Sequence, residues 1–127
     1  MELVFADEVY RVVGACFEGY NGMGCGFLKS VYQECLEWKL GLRQIPHVPQ
    51  QKLRLHDKGR PLEKTFEPDF ICFGEVIVEI KAVSALTDEH RSQVINCLAA
   101  THKKVGVLVN FGHHPGLQWE RFVYTQK

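Results

Sequence analysis

The octapeptide VIVEIKAV, residues 76–83, constrains the fold of this chain more than any other stretch. Its apolar run reads as a strand buried on both sides, yet it carries Glu79 and Lys81 two residues apart. Successive strand side chains point to opposite faces, so the two charges share one face while Ile80 points to the other. A buried charge without a partner is strongly unfavourable. The strand therefore either holds an interior ion pair or runs beneath a cleft where a carboxylate and an ammonium do chemistry.

The rest of the chain allows one core for that strand. At 127 residues it fits a single domain, 1–127, that buries about two-thirds of its unfolded surface, with no linker or repeat to divide it. Hydrophobic residues at 46% and charged residues at 24% are ordinary for a soluble globular protein. The formal net charge of zero argues against non-specific coating of nucleic acid, although a local basic patch remains compatible with it. MELVFADEVYRVV places acids early and has no long apolar run, so neither a signal peptide nor a membrane span is expected, and the location expected is cytoplasmic. Five cysteines without CxxC spacing read as reduced thiols in the core.

Periodicity orders the elements. Leu3, Val9, Val12, Val13 and Cys16 predict a helix over 3–17, followed by the glycine-rich loop EGYNGMGCG. That loop lacks the spacing of a phosphate cradle and reads as a flexible turn. A second helix is predicted over 27–42, with Leu28, Val31, Cys35, Trp38 and Leu42 as its apolar stripe and Glu34 on the border. Strands follow over 52–56, 62–73 and 76–83, with the turn DKGRP between the first two. Thr87 is the expected N-cap of a helix over 88–103, and strands over 105–111 and 117–124 complete the chain. The order ααβββαββ predicts an α/β fold, a central mixed sheet flanked by helices.

The candidate site consists of Asp69 after Pro68, Glu79 and Lys81 on the next strand, and Gln93 on the helix beyond. Two carboxylates with a lysine are a donor set for a hard cation such as Mg²⁺, which takes oxygen ligands and stabilises charge on phosphate. A geometric condition applies. A two-residue loop at Gly74 and Glu75 would put Asp69 and Glu79 on opposite faces, whereas an odd loop or a bulge puts them on the same face. On the helix, His90, Gln93 and Cys97 fall within roughly 60° of one another, a polar patch able to face a cleft. The adjacent His113 and His114 read as exposed turn residues, and Tyr10, Phe17, Tyr20 and Trp119 as core rather than as base-stacking platforms.

With PDF at 68–70 and VEIKAV at 78–83, the chain resembles the PD-(D/E)XK nuclease superfamily. More narrowly it resembles the small GxxExxY protein family, through GFLKSVYQECLE (26–37), QIP (44–46), LTDEHRSQVINCL (86–98) and KVGVLVNFG (104–112). The resemblance implies a restriction-endonuclease-like core. It also implies Asp69, Glu79 and the Ile80 carbonyl as ligands of Mg²⁺ or Mn²⁺, Lys81 as catalytic lysine and Gln93 as its helix partner. Tyr32, Glu34 and His90 are supporting candidates. Two positions depart from the pattern: Lys29 stands where the family glutamate would, giving GxxKxxY, and Cys97 stands where a tyrosine is usual. Lys29 and Glu34 lie roughly 140° apart on the helix, so Glu34 cannot replace the missing acid in direction.

Three functions follow as expectations. One is a metal-dependent nuclease acting on nucleic acid, DNA more than RNA, with a homodimer compatible with cutting two strands. Another is a non-catalytic module on the same fold, binding nucleic acid or a protein. The third is a structural ion pair between Glu79 and Lys81, weak as a source of stability because desolvation opposes it.

Overall fold

The computed structural model describes residues 4–124. The helices are α1 (Ala6–Met23), α2 (Lys29–Leu42) and α3 (Asp88–Thr101). The strands are β1 (His47–Pro49), β2 (Leu53–Asp57), β3 (Arg60–Phe66), β4 (Phe70–Cys72), β5 (Val76–Lys81), β6 (Val105–Asn110) and β7 (Gln118–Val123). Five strands form one sheet in the order β1-β4-β5-β6-β7, and β2 and β3 form a separate hairpin. The pairing is antiparallel except between β5 and β6, which are parallel and joined by α3. The expected mixed sheet with flanking helices is therefore the fold observed.

Strand β5 is covered on both faces, and its alternation decides what covers each. Val76, Val78 and Ile80 pack with α1 and α2 in one cluster, beside Phe70 and Val107. Ile77 turns the other way, to Leu108 and to Val94, Cys97 and Leu98 of α3. Glu79 and Lys81 continue that second direction. Close approach of α3 requires Gly106 on β6, where a Cβ would lie 2.8 Å from Val94 Cγ1. The N-terminus of α3 is capped as expected: Thr87 Oγ1 accepts from the His90 N–H at 3.3 Å, and His90 Nδ1 accepts from the Thr87 N–H at 3.1 Å.

Several expectations are corrected. The first helix runs on through residues 18–23 instead of ending at 17, because Gly19 sits where α1 meets Cys35 and Phe111 and a Cβ would lie 3.4 Å from the Cys35 sulfur. It stops at Gly24, whose φ of 73° suits glycine and whose N–H donates to the Tyr20 carbonyl at 2.7 Å. Leu3 lies outside the described residues. On α2 the buried face is Tyr32, Leu36 and Leu40, while Leu28, Trp38 and Leu42 of the expected stripe are exposed. The helix carries two apolar faces, and stacking of Tyr32 on Phe111 at 4.8 Å selects the other one. The single strand over 62–73 is two strands, interrupted at 67–69 where Pro68 has no N–H to give a ladder. With β1 added, five strands precede α3 rather than three.

Among the scattered aromatics only Tyr20 is buried; Tyr10, Phe17 and Trp119 are exposed. His113 is half-buried, its Nδ1 2.7 Å from the Gly116 carbonyl, and only His114 is an exposed turn residue. All five cysteines are free, with Cys16, Cys72 and Cys97 buried. Among the described residues no helix is long and apolar enough to cross a membrane.

Candidate active site

The β4–β5 connection sets the geometry of the candidate residues. Cys72 pairs with Val76, leaving the three-residue loop Phe73-Gly74-Glu75, in which Phe73 and Gly74 both have positive φ, 57° and 72°. The loop is odd, the condition needed to bring the carboxylates to one face. Phe70 pairs with Val78, so one step further Asp69 stands opposite Glu79.

Asp69 is almost fully buried and bound on every side. Its Oδ2 accepts from the Ile80 N–H at 2.8 Å, and its Oδ1 lies 3.0 Å from Lys29 Nζ. Its carbonyl accepts from Gln33 Nε2 and from the Gln50 N–H, both at 3.2 Å. Lys29 and Gln33 are one helical turn apart and share a face, so the first turns of α2 hold the PD segment with two side chains at once. Lys29, which stands where the GxxExxY pattern has a glutamate, thus faces the site.

Glu79 is the reverse case. Among the described residues its buried Oε1 has no hydrogen-bond partner and neither Glu79 nor Lys81 takes part in a salt bridge, so the structural ion pair between them is not formed. Burial, then the Asp69 charge opposite, pushes the Glu79 carboxyl up to about 8; Lys29, Lys81 and a backbone hydrogen bond from Asp69 oppose the rise.

Glu79 and Lys81 floor a cleft of about 500 Å³. One wall is α3, with His90, Gln93, Asn96 and Cys97, and the other is the β2–β3 hairpin, with Leu55 and Phe66. The structure brings together Glu79, Lys81, Gln93 and His90 on the cleft, with Asp69 beneath it against Glu79. The His90 Nδ1 is spent on the helix cap, which leaves its other ring nitrogen for the cleft. Burial, then the Glu79 charge, raises the Cys97 thiol to about 12, which keeps it from acting as a thiolate.

Two supporting candidates fall outside. Tyr32 is fully buried, and its hydroxyl donates to the Gly24 carbonyl at 2.6 Å and accepts from the Phe27 N–H at 3.2 Å, so it ties the α1–α2 connection. Glu34 is exposed and does not border the cleft, because the face of α2 next to it is not the packed one.

Sequence reasoning missed a polar hub just past Lys81. Asn110 is fully buried; its Oδ1 accepts from the Val83 and Gly112 N–H groups at 3.0 Å each. Its Nδ2 donates at 3.0 Å to Gln118 Oε1, which also takes the Leu86 N–H at 3.1 Å. These bonds hold the segment that leads from Lys81 to α3. The available signal was a polar residue ending the apolar run VGVLV.

The donor set fits a hard divalent cation: two carboxylates opposed across neighbouring strands, one of them with a buried oxygen lacking a partner. Among the described residues no group of three or more His, Cys, Asp or Glu side chains is placed to hold a metal, so most of the shell would come from outside these side chains.

The family profile of the PD-(D/E)XK nuclease superfamily matches residues 6–122. The chain belongs to that superfamily. Nucleases of the superfamily generally use divalent metal ions, and their substrates are nucleic acids. No curated protein matches the chain. The solved crystal structure of SSO0001 is similar in fold, with a TM-score of 0.62 at 14% identity, over 97% of this chain and 61% of that one. This chain thus spans less than two-thirds of that protein.

Proposed function

We propose that the protein is a metal-dependent nuclease of the GxxExxY type that hydrolyses phosphodiester bonds in nucleic acid, DNA in preference to RNA. The observation that carries the reading is the register that sets Asp69 opposite Glu79, on the sheet face that also presents Lys81 to the cleft. Asp69, Glu79 and the Ile80 carbonyl would hold Mg²⁺ or Mn²⁺. The ion would supply charge stabilisation for the phosphate and activation of water.

The chain's own groups divide the remaining work. Lys81 places a positive charge beside the scissile phosphate, where negative charge builds up as the bond breaks. Gln93 faces it from α3 and orients water or phosphate through its amide. Leu55 and Phe66 keep one wall apolar, which limits access of bulk water to the reacting centre. Beyond that wall, Lys52, Arg54, Lys58, Arg60 and Lys64 are exposed on and beside the hairpin, a local basic arm for the sugar-phosphate backbone on a chain of zero net charge.

The test is cleavage of labelled single- and double-stranded DNA and RNA by purified protein with Mg²⁺ or Mn²⁺ against chelator. Cutting should require the metal and should vanish in both Asp69→Ala and Lys81→Ala. Cutting that survives both substitutions refutes the mechanism. The Lys29–Asp69 ion pair favours a second reading, a module that binds nucleic acid without cutting it; binding with no cleavage under any metal would select it.

A further inference from the structure

Lys29 stands in the place a cation would take at Asp69. Its ammonium lies 3.0 Å from Asp69 Oδ1, and the other carboxylate oxygen is already bound to the Ile80 N–H at 2.8 Å. The Asp69 carboxylate is thereby matched by the Lys29 ammonium, so its negative charge is already balanced without a metal. A divalent ion entering beside Asp69 would meet the Lys29 charge at short range, where repulsion is only weakly screened. Asp69 cannot withdraw, being only 9% exposed at its side chain, whereas the Lys29 side chain is 46% exposed on a flexible stem.

We infer that Lys29 is an internal competitor of the metal: it occupies Asp69 in the metal-free protein, and metal binding requires its displacement into solvent. The inference rests on the metal-dependent reading above and gives that site a built-in threshold. Lys29 weakens metal affinity and, in exchange, satisfies a buried carboxylate when no metal is present. The opposite role, a lysine that merely orients Asp69 for the metal, predicts the opposite sign on removal, because a disordered ligand binds worse.

The experiment is calorimetric titration of Mn²⁺ into the full chain, as wild type and as Lys29→Met, Lys29→Arg and Lys29→Glu, with thermal unfolding of each in chelator and in Mn²⁺. Lys29→Met should bind Mn²⁺ at least tenfold more tightly than wild type, and Lys29→Glu more tightly still. Lys29→Arg should stay at or below the wild-type affinity. In chelator Lys29→Met should melt at a lower temperature than wild type, and saturating Mn²⁺ should raise it by more. Weaker or equal Mn²⁺ binding in both Lys29→Met and Lys29→Glu overturns the competitor role while leaving the metal site standing. Failure of wild type and every variant to take up Mn²⁺ at millimolar concentration removes the competitor role and the metal-dependent function together.

Discussion

The buried carboxyl of Glu79 makes stability in the absence of metal fall as pH rises. In the folded protein burial and Asp69 push this group up to about 8 from an ordinary value of 4.5. Below 4.5 the carboxyl is protonated in both folded and unfolded chains and costs nothing. Between the two values the folded chain binds a proton that the unfolded chain has released, so stability declines steadily with pH, and above 8 the loss is complete. At ~1.4 kcal/mol per pH unit the rise sets a ceiling of ~5 kcal/mol, and water entering the cleft should leave a measured loss of a few kcal/mol.

Glu79→Gln removes this titration while keeping shape. The assay is urea unfolding of wild type and Glu79→Gln in chelator from pH 5 to 9, taking the difference at each pH so that other titrating groups cancel. The two proteins should be nearly equal at pH 5, and Glu79→Gln should become the more stable by the stated amount at pH 9. A difference that stays constant across this range, or that shrinks toward high pH, refutes the account of Glu79 as a carboxylate held against Asp69. Saturating Mn²⁺ at pH 8 should reverse the order, because the ion favours the charged form that Gln cannot provide.

Two substitutions separate scaffolding from the site. Tyr32→Phe keeps the ring on Phe111 but strands the Gly24 carbonyl, so unfolding should show a loss of ~1–3 kcal/mol with Mn²⁺ affinity unchanged. Gly112→Ala would place a Cβ 2.5 Å from the Val83 backbone, beside the Asn110 hub, and should cost ~1–3 kcal/mol or more by the same assay. A fully stable Gly112→Ala would mean that this crossing relaxes freely.

Which of these features could be read in the sequence depended on the range of the interaction behind each. The faces of β5 follow from a period of two that is written in VIVEIK itself, so the separation of Ile80 from Glu79 and Lys81 needed no tertiary knowledge. The capping box at Thr87 is equally local. The face shared by Asp69 and Glu79 was legible only as a condition on loop parity, and Phe73 fulfils it by taking the positive φ that a sequence reader would assign to glycine alone. Gly19 and the stripe on α2 were misread because their conformations are chosen by what packs on them, Cys35 and Phe111 in the one case and Phe111 against Tyr32 in the other. Lys29 shows the limit most clearly. Its departure from the GxxExxY pattern was visible, but its meaning depended on whether the first turn of α2 lies beside the PD segment. Gln33, one turn later, bonds to the Asp69 carbonyl and fixes that placement. The N-terminal end of α2 therefore holds Asp69 in position and supplies the charge that balances it, so a change at Lys29 alters the charge of the site while Gln33 keeps its geometry. That separation is what allows the Lys29 variants to report on metal competition rather than on loss of the fold.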